Sequence, residues 1–274
     1  MSSNWPPIDA HTHIATGVMP DELLALRAVL FAATRSLSEF RSVAGRSDPL
    51  AVWGVGLHPG LKASYAKYDR GTFEQLLQRS PLVSEIGLDG RSQIPLEHQK
   101  NVLVEILELL STTPRIVSMH SAFATGPLLE VLASCGARPG IILHWWRGTP
   151  AETRAALELG CWFSINEHEI APEAGVVLQN APPDRVLLET DHPHGNRTKS
   201  PARPGGLVGL EHRLAKRWSV SPREVREGLW GNLARLVKET QTLPMFPETL
   251  RRMLIVAPPP MNDAGRKLPL ETPW

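Results

Sequence analysis

The sequence predicts an α/β chain folded as a TIM-type (β/α)8 barrel of parallel strands. Eight short and almost wholly apolar runs alternate with helix-like stretches. Runs of that kind suit strands buried on both faces, as the strands of a parallel barrel are. The 274 residues also fit the roughly 250 of a typical eight-stranded barrel. An open doubly wound sheet is the alternative, but no G-x-G-x-x-G opens a helix here.

The first strand is expected between Ile8 and Ile14. A helix follows at 21–27, with Leu23, Leu24 and Leu26 apolar, then a strand at 29–34 and a helix at 37–45. The third strand, 50–57, runs into His58 and is broken by Pro59 and Gly60. Thr72 and Gln75 fit a capping box that starts a helix at 73–78. The fourth strand, 81–88, ends at Asp89-Gly90. The clearest helix spans 96–110, where Val102, Leu103, Ile106, Leu107 and Leu110 form a stripe at helical spacing. Strands at 115–119 and 139–143 run into His120 and His144, with a helix at 127–133 between them. Thr149, Pro150 and Glu152 give a capped helix start, and Gly160 stops that helix. A strand at 161–165, a short helix at 174–179 and a strand at 185–190 complete the alternation.

A polar loop at 193–206 and two further helices follow, the second opened by a capping box at Ser221-Pro222-Arg223-Glu224. A short helix is expected at 247–254. From Ala257 the chain is Pro-rich and reads as disordered or draped on the surface. The division is therefore a barrel domain over 1–245 and a short helix with a tail over 246–274.

Composition narrows the class. The chain is 42% hydrophobic and 21% charged with a net charge of +1, ordinary for a globular protein and no announcement of a nucleic-acid binder. Two cysteines are too few for a disulfide framework and read as free thiols in a reducing compartment. No apolar run is long enough to span a membrane and no secretory leader is visible, so the expected location is the cytoplasm.

The chemistry gathers at strand ends. Side chains at i, i+2 and i+4 of a strand share a face, so Asp9, His11 and His13 project together. Alone, H-x-H fits two hydrogen-bonded surface histidines as well as half a metal site. However, His58, Glu85, His120, His144 and Asp191 also lie at or near the close of apolar runs. In a parallel barrel those ends build the active site. Histidine and carboxylate together suit zinc, manganese, iron or magnesium-like ions. A carboxylate such as Glu85 can bridge two of them, and Asp191 could bind metal and also take a proton from an attacking water. Arg91, Arg147, Arg197 and Lys199 could contact phosphate, although a solvated charged loop is the commoner meaning of each. Trp145 and Trp146 could stack on a base or fill the barrel mouth. His98 and His212 read as surface residues, His168 as a candidate pocket residue, and His192 and His194 as residues that orient a ligand. Asp9 reads as a buttress for His11 or for a metal-bound water.

Asp9-Ala-His11-Thr-His13, Gly56-Leu-His58-Pro59, Glu85-Ile-Gly-Leu-Asp89-Gly90, His120-Ser-Ala-Phe-Ala124, His144 and Glu189-Thr-Asp191-His-Pro193 together resemble the TatD family of metal-dependent nucleases, within the amidohydrolase-like TIM barrels. The resemblance covers about residues 8–195, and Asn232, Arg235 and Leu236 resemble the family's C-terminal helix signature. It implies one divalent ion held by His11, His13, Glu85 and Asp191, and a second, bridged by Glu85, on His120 and His144. It implies a role for His58 near the substrate. It also implies Mg, Mn or Zn as the metal, and a metal-bound hydroxide that cleaves DNA, single-stranded or at 3′ ends. Glu85 to Gly90 and Gly160 to Ser164 further resemble the branch found in bacterial anti-phage gene sets of the Qat type, which implies partner proteins in a defence complex. Three departures bear on substrate handling. Ala122 stands where the family usually has Arg, Gly60 where it often has a second His, and Ile14-Ala15 where an Asp or Glu often follows. They leave two other readings open: hydrolysis of a small amide, ester or lactone, and a barrel kept as the scaffold subunit of an assembly.

Overall fold

The computed structural model describes residues 5–136, 139–170, 175–194 and 203–261. Its eight strands are all parallel: β1 Ile8–Thr12, β2 Val29–Ala33, β3 Ala51–Gly54, β4 Leu82–Gly87, β5 Ile116–His120, β6 Ile141–His144, β7 Trp162–Ile165 and β8 Val186–Leu188. Ladders join β1-β2-β3 and β4-β5-β6-β7-β8 in chain order. Every strand residue except His120 is buried. Burial on both faces explains the near-absence of polar alternation in these runs.

Two seams complete the ring. Between β3 and β4, Val55 pairs with Val83 and Leu57 N donates to Glu85 O at 2.9 Å. Just beyond β8 and β1, Asp191 N donates to His11 O and His13 N to His192 O, both at 2.9 Å. The Asp9 carboxylate strengthens this second seam. It accepts Thr190 N at 2.8 Å and Thr190 Oγ1 at 2.7 Å. Asp9 is thus a seam residue whose carboxylate also meets the His11 backbone, while Ser118 Oγ, 2.6 Å from His11 Nδ1, holds the ring itself.

The helices form where pattern and caps coincide. Leu96–Thr112 buries the stripe that periodicity marked out. The boxes at Thr149/Glu152 and Ser221/Glu224 open Pro150–Glu158 and Pro222–Glu239. The expected box at Thr72 and Gln75 does not form. That helix, Arg70–Leu77, begins earlier because Asp69 accepts Thr72 N at 2.7 Å. An aspartate one turn upstream caps as well as threonine, and it converts Thr72 into its donor. Short helices at Lys62–Tyr65 and Glu167–Ile170 are below the length at which periodicity is legible.

Beyond the barrel, Glu248–Ile255 buries Leu250 and Leu254, and Phe246 meets Phe31 with ring centroids 6.2 Å apart. Residues 257–261 drape over Pro222–Glu239. Gly228 and Gly231 leave no room for a Cβ beneath Met261 and Pro259, and Met261 N donates to Asn232 Oδ1 at 3.1 Å. The remainder of the tail and Arg197 and Lys199 lie outside the described residues. Among those described, no helix is long and apolar enough to cross a membrane.

Candidate metal centre

Local backbone geometry places each functional side chain. The β4 register shifts between Ser84 and Ile86, which turns Glu85 into the barrel mouth. Its backbone is held on both sides, by Glu85 N to Thr34 O at 3.0 Å and by Leu57 N to its carbonyl. Thr34 and Glu85 can bond across β3 because Gly56 lies between them: a Cβ there would sit 1.6 Å from Thr34 O.

Glu85 is 1% exposed, and its two oxygens face different histidines. Oε2 lies 3.4 Å from His13 Nε2, 3.4 Å from His58 Nε2 and 3.9 Å from His11 Nε2. Oε1 lies 2.5 Å from His120 Nδ1 and 2.8 Å from His144 Nε2. Asp191 Oδ1 stands 3.7 and 3.6 Å from the Nε2 atoms of His11 and His13. A tetrahedral ion with bonds of about 2.1 Å sets its ligand atoms about 3.4 Å apart, so this spacing suits a common ion. His11 Nε2 and Glu85 Oε2 are buried without a hydrogen-bond partner, an arrangement that costs free energy unless something is bound there. His13 Nδ1 donates to Ala33 O at 3.1 Å, which leaves its Nε2 lone pair aimed inward.

His58 differs. Its Nδ1 accepts Gly60 N–H at 2.8 Å, so the neutral ring carries its proton on Nε2 and presents a donor to the mouth. Gly60, absent a side chain, fits against that ring, where a Cβ would lie 3.0 Å from it.

Charge follows position. Burial, with the surrounding imidazoles, lowers His58 to about 4 and holds His11 well below the usual histidine range. Burial opposes ionisation of Glu85 as well, but His58, His120 and His144 outweigh it and hold the carboxylate well below its ordinary value. For His120, burial pulls downward while Glu85 and Asp89 raise it to about 10. Burial raises Asp191.

The cavity around this cluster has a volume of about 870 Å³ and reaches Asp89, Phe123, Trp145, Arg147 and His194. His120, His144, His58, Glu85, His13 and Asp191 line it together, and His11 adjoins it through Glu85. Trp145 stacks on His168 at 5.3 Å, with the Arg147 guanidinium 5.7 Å above its ring. Arg91 lies over Phe123 at 3.3 Å. Trp146 turns away from the mouth: it is buried and donates Nε1–H to Thr153 Oγ1 at 2.9 Å.

Glu189, Ser118 and the side chain of Asp89 have roles that sequence reasoning did not assign. Glu189 is fully buried, accepts Trp145 N at 2.9 Å and Asn166 Nδ2 at 3.2 Å, and bonds Ser164 Oγ. It steadies the backbone of Trp145, held at φ +39° directly after His144. Burial, with Asp191 nearby, raises it well above the carboxylate range. Asp89 Oδ2 lies 3.3 Å from His120 Nε2. Glu189 and Asp89 both close apolar runs, the signal that marked the other site residues.

The sequence model of the family described as TatD related DNase matches residues 8–238. A 3′-5′ ssDNA/RNA exonuclease TatD of Erwinia billingiae is 28% identical over 201 residues, 68% of this chain and 77% of that protein. An uncharacterized metal-dependent hydrolase TatD of Mycobacterium tuberculosis is 25% identical over 223 residues, 71% of this chain and 84% of that protein. The crystal structure of YJJV, a TatD homolog from Escherichia coli, superimposes with a TM-score of 0.72 at 22% identity, covering 84% of this chain and 97% of that one; at that identity it speaks for the fold. The match begins at β1, ends within the last long helix and spans every strand that contributes to the cluster, so this chain belongs to the TatD related DNase family of metal-dependent hydrolases.

Proposed function

We propose that this protein hydrolyses phosphodiester bonds of single-stranded DNA from the 3′ end, using two divalent ions of the Mg, Mn or Zn type. The observation that carries this reading is the division of Glu85: one oxygen faces His11 and His13, the other His120 and His144. In this reading His11, His13, Asp191 and Glu85 Oε2 hold one ion, and His120, His144 and Glu85 Oε1 the second. Ions bound there supply an acidified water and neutralise charge on the phosphoryl oxygens.

The chain's own groups do the rest. Ser118 Oγ orients the His11 ring through Nδ1, and Ala33 O sets the tautomer of His13. His58 presents Nε2–H to a phosphate oxygen or to the leaving oxygen. Asp191, raised by burial, is suited to receive a proton. Trp145 and Arg147 line the approach and would contact base and phosphate.

The test is a 5′-labelled single-stranded oligonucleotide incubated with metal-stripped protein, with and without Mg²⁺ or Mn²⁺. Stepwise shortening from the 3′ end that needs the metal is the expected result. Bound metal without cleavage of DNA or RNA would sink the reading and redirect attention to small esters or lactones.

Metal binding should also compete with protons. In the metal-free protein His120 titrates near 10, so at pH 7 it is protonated and ion-paired with Glu85 and Asp89. An ion entering at His120 must displace that proton, and affinity should rise about tenfold per pH unit between 6.5 and 8.5. Calorimetry in two buffers of different ionisation enthalpy reads the proton release directly. A pH-independent affinity would show that His120 is not displaced.

A further inference from the structure

Phe123 lines the cavity and is 67% exposed. It stands at the tip of the loop after β5, with its backbone at φ +52°, a conformation that bulky residues seldom adopt without a supporting context. The support is visible. Gly90 N donates to Ala122 O at 2.8 Å, and Gly90 comes so close that a Cβ would lie 2.3 Å from Phe123 O. Ala124 N closes the turn on Ser121 O at 3.1 Å. The loop after β4 is thereby fastened to the loop after β5. Arg91 N is tied to Asp89 Oδ1 at 2.8 Å, and the central carbon of the Arg91 guanidinium lies over the Phe123 ring, 3.3 Å from its centroid.

An exposed phenyl ring at the lip of a polar, histidine-lined cavity is unfavourable in water and serves no core. A guanidinium stacked across an aromatic keeps its in-plane N–H donors free at the edge, where a phosphate can be met. The combination of ring surface and adjacent cation fits one nucleotide unit, with base on ring and phosphate on guanidinium. Trp145 and Arg147, which line the same cavity, repeat the association of aromatic and cation.

We propose that Phe123 and Arg91 form a nucleotide-gripping platform at the cavity lip, on which an unpaired base near the cleaved end stacks while Arg91 contacts its phosphate. The platform would confine the enzyme to strands whose terminal bases are unpaired. It rests on the nuclease reading above and adds to it the residues that select the substrate.

The experiment uses the full chain with Mn²⁺ and two oligothymidylates, one intact and one with abasic residues at its three 3′-terminal positions. For wild type, the abasic end should raise KM about tenfold or more, within the range of one to two lost base stacks. Phe123→Ala should raise KM for the intact strand to a similar level and show little further rise with the abasic one, while Phe123→Tyr restores the difference. A wild type with equal KM for both ends would overturn the platform, as would a Phe123→Ala protein within twofold of wild type on intact DNA. If wild type cleaves neither strand, the nuclease reading falls and the platform falls with it.

Discussion

Glu85→Ala is expected to lower nuclease turnover by roughly a thousandfold or more, the scale on which removal of a principal electrostatic stabiliser acts. The physical basis is its central position. Among the described residues, Glu85 is the one carboxylate within 4 Å of all of His11, His13, His58, His120 and His144, and both proposed ions depend on it. The variant should also bind less than one ion per chain by elemental analysis. His120 provides a readout that does not require turnover. Without Glu85, only Asp89 remains of the two partners that raise it, so its proton should be lost at lower pH in an NMR titration of the metal-free protein. Full metal content in active Glu85→Ala protein would rule out the bridging role.

Gly56→Ala should be the most damaging single methyl group in the barrel. The new Cβ would stand 1.6 Å from Thr34 O and 2.6 Å from Ser84 O, both backbone atoms with no rotamer to yield. Thr34 O is also the acceptor for Glu85 N, and Leu57 N donates to Glu85 O. Relief of the clash must therefore separate β2 from β4 and break the clamp that aims Glu85. Overpacking of this kind costs about 3 kcal/mol or more, which urea unfolding would measure. A soluble fraction, if recovered, should show reduced metal content together with the lower midpoint. Gly17, where an added Cβ would meet nothing within 4 Å, is the matched control: Gly17→Ala should leave both quantities nearly unchanged.

The alternation of apolar runs and capped helices was readable along the chain because burial on both faces and helical periodicity are local patterns. The same holds for the positions of His11, His13, His58, Glu85, His120, His144 and Asp191, since strand ends in a parallel barrel converge whatever fills the loops. Asp9 shows where that reasoning stops. Its two-residue spacing from His11 gave no sign that its carboxylate would also bind Thr190, 181 residues away. Thr72 shows the same limit at short range, where a neighbouring aspartate took the cap.

The sequence by itself determined the fold class and the candidate site residues, because both follow from residue type and spacing. Only the tertiary structure decided how those side chains are arranged. Which ring nitrogen of His11, His13 or His58 faces the cavity depends on Ser118, Ala33 and Gly60. Which oxygen of Glu85 meets which histidine depends on a register shift in β4 and on the space left by Gly56. Ring orientation and carboxylate direction are set by hydrogen bonds between segments distant in sequence, and no local pattern encodes them.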